Sequence, residues 1–338
     1  MPLLRVDADG IFCEPGGFHI DPWGAVPRAL ITHAHSDHAR PGSGAYLCTE
    51  GSAAILRERF PEAVTESIPY AERRQIGSVT VSFHPAGHVL GSAQIRVEHN
   101  GEVWVVSGDY KLAPDTTCAP FEPVRCHTFV TESTFGLPIY RWQEPAHVMA
   151  DIDQWWRINR EQGRCSVIFG YPVGKAQRLL AGLDPAAGPI VCHGAVERMN
   201  RVYRSAGVAL PQTLYANDLQ RAFDWTQAIV LAPPSAHGSP WTRRFGPLST
   251  AFASGWMRIR GTRRRKSIDR GFVLSDHADW PALLATIAAT GADSILVTHG
   301  YRTPLVRWLT EHGKQAATLE TQYEGESTES PANDEDAQ

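Results

Sequence analysis

Hydrophobic and polar positions change their rhythm twice along this chain. Up to about residue 140 the runs are short and alternating. Val79 to Phe83 alternates, and Gln94 to Glu98 and Glu102 to Ser107 flank His99-Asn100-Gly101, a hairpin signal. Arg28 to Thr32 reads as a further strand. Antiparallel strands with one polar face predict a sheet that forms half of a sandwich. Pro145 to Gln162 then reads as a helix, with proline near its start and Gly163 just past its end. From Cys165 strand and helix patterns alternate through "CSVIFG", "GKAQRLLAGL", "GPIVCHG" and "AVERMNRVYRSAG", which predicts an α/β layer with parallel strands. The Gly/Pro/Ser-rich stretch Ala232 to Ser249 reads as loop. After residue 270 come "GFVLSDHADW", a helix over Trp280 to Thr290 and the strand "SILVTHG". The two changes of rhythm are what an α/β domain inserted into another domain would produce.

A length of 338 residues fits that two-part reading, being long for one core. No apolar run is long enough to cross a bilayer, and "MPLLRVDADG" lacks the cationic start and apolar stretch of a secretory signal. Cys13, Cys48, Cys118, Cys126, Cys165 and Cys192 are scattered, with no paired spacing. That predicts reduced thiols and a cytoplasmic protein without membrane association. The formal charge of −4 includes six acids in the last fifteen residues, and without them the body carries +2. That tail, residues 323–338, is expected to be disordered. Arginines cluster in Arg258 to Lys266, including Arg263, Arg264 and Arg265. Guanidinium forks match phosphate geometry, so the cluster is a candidate polyanion contact; the alternative is a solvated loop.

The chemistry concentrates in "ITHAHSDHAR". His33 and His35, two apart in an extended segment, can point to one side. Asp37 and His38 follow on the turn and can face a second point. Neutral imidazole and carboxylate suit zinc and similar divalent ions. Four such groups are too many for one ion but serve two ions about 3.5–4 Å apart, the arrangement used for phosphoester hydrolysis. Elsewhere, His88 lies between glycines in "PAGHVLGSAQ", and Asp109 follows an apolar strand in "VVSGDYK", where a carboxylate could bridge two cations. Asp21, twelve residues before His33, suits the orienting of a ligand histidine through its other nitrogen. "FGYPVGKAQRLL" lacks the spacing of a Walker A loop. Its Gly-rich turn at a helix start still suits phosphate, with Lys175 and Arg178 as candidate nucleic-acid contacts.

The order Asp21, HxHxDH, His88, Asp109 resembles the metallo-β-lactamase superfamily. The resemblance implies an αββα sandwich, with His33, His35 and His88 on one ion, Asp37 and His38 on the other, and Asp109 between them. "TESTFG" with Glu132, "LSDHADW" with His277 and "LVTHGY" with His299 resemble, in order, three later motifs of the β-CASP nucleases. By that resemblance residues 1–140 and 271–322 form the metallo-β-lactamase domain and residues 141–270 an inserted β-CASP domain. His299 would complete the second ion's shell. His277, oriented by Glu132, would be the general acid for the leaving 3′-oxygen. Asp37, Glu132 and His277 are thus the catalytic candidates. The ions would be zinc, with manganese as the alternative.

Within that group the short chain, "GKAQR", "SGWMRIRG" and "LSDHADW" look most like the bacterial ligase-associated DNA exonucleases. This implies 5′→3′ action on single-stranded or end-exposed DNA in repair, in association with a ligase and a helicase. His299 is shared by RNA-cleaving members, which keeps RNA 3′-end processing or decay as an alternative. A small-molecule hydrolase of the same fold is a further alternative, and it would need neither the insertion nor the arginine cluster.

Overall fold

The computed structural model describes residues 2–220, 222–259, 261 and 267–322. Arg263, Arg264 and Arg265 and the acidic segment 323–338 lie outside the described residues. The chain divides into two compact units, one formed by the described residues up to Arg141 together with 277–322, the other by the described residues of Trp142–Asp276.

The first unit holds two sheets. One has six strands in sequence order: Arg5–Val6, Ile11–Cys13, Phe18–Ile20, Ala29–Leu30, Tyr46–Thr49 and Thr65–Ile68. The other has seven, in the order Gln315–Thr318, Ser294–Gly300, Thr128–Ser133, Glu102–Val106, Ala93–His99, Val79–Pro85 and Arg74–Ile76. Alternation along the strands sends side chains to opposite faces of the second sheet. Trp104, Val106 and Val130 join Ile20, Leu30 and Leu47 of the first sheet in one apolar cluster. Their neighbours Val103, Val105 and Phe129, with Ile295 and Val297, face the other way and pack with Trp280 and Ile287 of the helix Trp280–Thr290 and Leu305 and Leu309 of the helix Arg302–Glu311.

The hairpin forms where its turn signal stands: Glu102 pairs antiparallel with His99, and Asn100 and Gly101 take φ of 49° and 84°, as a two-residue primed turn requires. Val79–Pro85, Ala93–His99 and Glu102–Val106 pair antiparallel, as expected. From Phe18–Ile20 to Thr65–Ile68 the strands run parallel. Parallel neighbours need a crossover, and the helix Glu50–Arg59 supplies the last one, its Thr49 cap accepting from Ser52 N.

The second unit is one parallel sheet of six strands, ordered Leu214–Tyr215, Ile190–Cys192, Ile229–Ala232, Cys165–Phe169, Leu248–Ala253 and Arg270–Phe272. Both faces are covered. Ile168, Ile190 and Leu231 lie with Ile152 and Trp156 of the helix Pro145–Glu161 and Leu179 of the helix Lys175–Gly182. Val167, Val191 and Val230 lie on the opposite face with Phe245 and Met257. Two-sided burial explains why these strands read as unbroken apolar runs. The expected loop Ala232 to Ser249 contains short 3-10 turns, Pro234–Ala236 and Pro240–Phe245, before the next strand begins at Leu248. The unit extends to Asp276, beyond residue 270, because Arg270–Phe272 is the edge strand of its sheet.

Candidate metal centre

Every side chain of the centre belongs to the first unit and projects from a strand end or the turn after it. His33, His35, Asp37 and His38 follow Ala29–Leu30; His88 follows Val79–Pro85; Asp109 follows Glu102–Val106; Glu132 and His299 lie near the ends of Thr128–Ser133 and Ser294–Gly300. Two glycines make room. Gly108, at φ 55°, would bring a Cβ within 2.6 Å of Thr32, and Gly87, at φ 73°, within 2.2 Å of the Lys111 carbonyl.

His33, His35, His88 and Asp109 present donor atoms all within 4.8 Å of one another, as do His38, Asp109 and His299. Asp109 belongs to both groups. Its Oδ2 is 3.6 Å from His33 Nε2, 3.6 Å from His38 Nε2 and 3.8 Å from His88 Nε2, and its Oδ1 is 3.0 Å from His299 Nε2. Asp37 stands beside the second group, with Oδ2 3.7 Å from His38 Nε2. His33, His38, His88 and Asp109 are buried, whereas His35 and Asp37 are only half-buried.

The orienting contacts are equally specific. Asp21 takes a left-handed φ of 44°, a conformation aspartate tolerates better than most residues. From there Oδ1 accepts from Thr32 N at 2.7 Å and Oδ2 meets His38 Nδ1 at 2.7 Å, which turns His38 Nε2 toward Asp109. Glu132 Oε1 accepts from Tyr110 N at 2.7 Å and Oε2 meets His277 Nδ1 at 2.9 Å. Ala278 N donates to the Tyr110 carbonyl at 2.7 Å, so the backbone around His277 is fixed as well as its ring.

Electrostatics suit cations. Burial, helped by the His38 charge, holds the His33 imidazole well below its ordinary pKa, so it stays neutral and available. Burial opposes protonation of His38 too, but Asp109, Asp37 and Asp21 outweigh it and push His38 up to about 10. Burial raises the Asp109 carboxyl, yet His38, His277 and His299 more than reverse that and keep it ionised. His33 Nε2 is buried with no hydrogen-bond partner among the described residues. A buried, unsatisfied, neutral imidazole nitrogen beside an ionised carboxylate is a poor arrangement for an empty core and a good one for a divalent ion. The residues therefore fit a pair of such ions. If so, ion uptake near pH 8 should release about one proton, from His38, and affinity should rise with pH up to about 10. Titration calorimetry in buffers of different ionisation heat reads this directly; a buffer-independent heat would refute it.

Sequence reasoning missed several supports. Thr32 Oγ1 lies 3.1 Å from His33 Nδ1, and Thr298 Oγ1 lies 3.2 Å from His299 Nδ1. The shared Thr-His dipeptide was the available signal. Lys111, 1% exposed, pairs with Asp115 at 2.5 Å behind His88, and nothing local in the sequence marks it. Lys175 and Arg178, expected at phosphate, are corrected. Both are buried in the second unit. Lys175 Nζ contacts Asp276 Oδ2 at 2.8 Å and the Leu274 carbonyl at 2.8 Å; Arg178 Nη1 contacts Asp276 Oδ1 at 3.0 Å and the Ser275 carbonyl. A buried carboxylate needs such partners. The Gly-rich turn is explained by Gln177, whose Oε1 accepts from Gly174 N at 2.8 Å.

No family model matches the chain. It is 32% identical over 323 residues to a protein named "Probable DNA ligase" from Opitutus terrae, covering 94% of this chain and 31% of that protein. It is 29% identical over 191 residues to cleavage and polyadenylation specificity factor 73 of Drosophila melanogaster, covering 49% of this chain and 27% of that one. It is 27% identical over 184 residues to an RNase J-like protein of Methanocaldococcus jannaschii, covering 46% and 43%. The chain thus spans between about a quarter and under half of the length of these relatives. No helix among the described residues is long and apolar enough to cross a membrane. The homologues of this chain thus include proteins of the cleavage-factor and RNase J-like kinds.

Proposed function

We propose that the chain is a metal-dependent phosphodiesterase, a nuclease that trims single-stranded DNA ends from 5′ to 3′ in repair alongside a ligase. The observation that carries this reading is the sharing of Asp109 by two histidine groups, with the Glu132–His277 pair beside them. In this reading the two sheets and their outer helices are the αββα sandwich, and the second unit is the β-CASP domain. His33, His35, His88 and Asp109 hold one ion; His38, His299 and Asp109, with Asp37 at the side, hold the other. When bound, such ions lower the pKa of water and neutralise phosphate charge.

The chain's own residues do the rest. Asp21 fixes His38, and Thr32 and Thr298 fix His33 and His299, so the donors need little reorganisation. Glu132 holds His277 through Nδ1, leaving Nε2 to hand a proton to the leaving 3′-oxygen. Glu132→Gln should therefore lower kcat by about 10²–10⁴-fold with KM little changed, and flatten the alkaline limb of the pH–rate profile. An unaltered profile would make Glu132 merely structural.

DNA is favoured because a protein named for DNA ligation carries a counterpart of nearly the whole chain. The second reading, RNA cleavage, is favoured by His299 and by the RNase J-like relative. One gel separates them. The metal-loaded protein receives the same single strand as DNA and as RNA, labelled at either end, with Asp37→Asn as control. Mononucleotides from the 5′ label of DNA alone support repair trimming. Cleavage of RNA alone moves the protein to RNA processing, and cleavage of neither removes the polynucleotide reading.

A further inference from the structure

The second unit contains a cavity of about 800 Å³. It lies at the C-terminal ends of parallel strands. Ile190–Cys192 leads into His193, Leu214–Tyr215 ends in Tyr215, and Ile229–Ala232 leads toward the turn Pro240–Phe245 that carries Trp241. In open parallel sheets this edge is where ligands bind. His193, Arg198, Arg201, Tyr215, Asn217 and Trp241 line the cavity.

Two features select its ligand. The first is positive charge. Arg198 and Arg201 are three apart on the helix Gly194–Ser205 and share a face. Two acids also line the cavity: Glu197 is matched by Arg204 at 3.0 Å, and Asp218 offsets one of the two lining arginines, which leaves the lining one charge positive. The second is aromatic surface. Trp241 stands edge-on to His193 at 4.7 Å, with the Arg244 guanidinium 5.5 Å from its ring centre. A Cβ on Gly194 would come within 3.1 Å of the Tyr215 hydroxyl, so glycine keeps that phenol against the start of the helix. Burial, and then the charges of Arg244 and Arg198, hold His193 below its ordinary pKa, consistent with a locally positive field. An acidic peptide would use the arginines but not the rings, and an apolar ligand would use the rings but not the arginines. A nucleotide uses both.

We propose that this cavity is a nucleotide subsite for one residue of a single-stranded polynucleotide, its base against Trp241 and Tyr215 and its phosphate facing Arg198 and Arg201. The proposal rests on the nuclease reading above and adds to it a grip on the strand by residues of the second unit. The test uses the full-length, metal-loaded protein and fluorescein-labelled phosphorothioate 12-mers that resist cutting, as DNA and as RNA, followed by anisotropy. Arg201→Glu and Trp241→Ala should each weaken binding of the preferred strand by about tenfold or more. Arg201→Glu should also lower the logarithmic salt slope by about one. Arg157→Glu, on the helix Pro145–Glu161 and outside the cavity lining, should change affinity less than about twofold, the scale of a remote surface charge. Circular dichroism checks folding; if Trp241→Ala unfolds, the exposed Arg201 decides alone. If the parent protein cuts an ordinary strand and both variants bind like the parent, the subsite is overturned and the nuclease reading stands. If the parent neither binds nor cuts any strand, the nuclease reading fails and the subsite with it.

Discussion

Asp109→Asn should reduce phosphodiester cleavage by at least about 10²–10³-fold, the scale of losing one well-placed electrostatic stabiliser. It should also lower the ion content of the purified protein below two per chain. Asparagine preserves the shape of the side chain but removes its charge. That charge stands within 3.6–3.8 Å of His33, His38 and His88 through Oδ2, and 3.0 Å from His299 through Oδ1. No other residue belongs to both donor groups that contain these histidines. Asp37→Asn should abolish turnover as well, but Asp37 lies at the rim of the second group only, 3.7 Å from His38. Its loss should cost at most one ion. Metal analysis beside turnover, with circular dichroism for the fold, separates the two variants. An Asp109→Asn protein that keeps both ions and its rate would end the bridging interpretation.

The histidine centre was legible because metal-type donors are rare at such density and the strands that present them are short. His33, His35, Asp37 and His38 lie within six residues, so local spacing alone brought them together. His88 and Asp109 could be offered because each adjoins an apolar run, and His299 because its motif resembles one of the β-CASP nucleases. What could not be read was the identity of partners far apart in sequence. Asp276 is about a hundred residues from Lys175 and Arg178, and a Gly-Lys turn looks the same whether its ammonium faces solvent or a buried carboxylate. Pairing direction was likewise hidden. Between residues 18 and 68 only the crossover helix Glu50–Arg59 makes the last of the pairs parallel. The cavity at His193 and Trp241 joins elements some fifty residues apart, and each aromatic alone reads as core.

The second large effect concerns Asp276, which the sequence offered only as the residue before His277. Its carboxylate is 4% exposed and holds Lys175 Nζ at 2.8 Å and Arg178 Nη1 at 3.0 Å, themselves 0% and 7% exposed. Asp276→Ala would remove the buried carboxylate that both cations contact. Breaking a buried pair in that way costs about 3–5 kcal/mol, which for a unit of this size is roughly a 10 °C or greater drop in the thermal midpoint. Lys175→Met should cost less, because it keeps the Arg178–Asp276 ion pair. The combination Lys175→Met, Arg178→Met and Asp276→Leu should recover most of the loss, since apolar packing of similar volume replaces a buried ionic group at little cost. Scanning calorimetry of the full chain gives all three midpoints. The order Asp276→Ala, then Lys175→Met, then the triple variant, from least to most stable, is what charge burial requires. Equal midpoints for the two single variants would mean that the ions are hydrated and contribute little. Turnover should fall with the first variant even below its melting temperature. The Lys175 and Arg178 contacts fix the backbone at Leu274 and Ser275, and His277 is the next residue after Asp276.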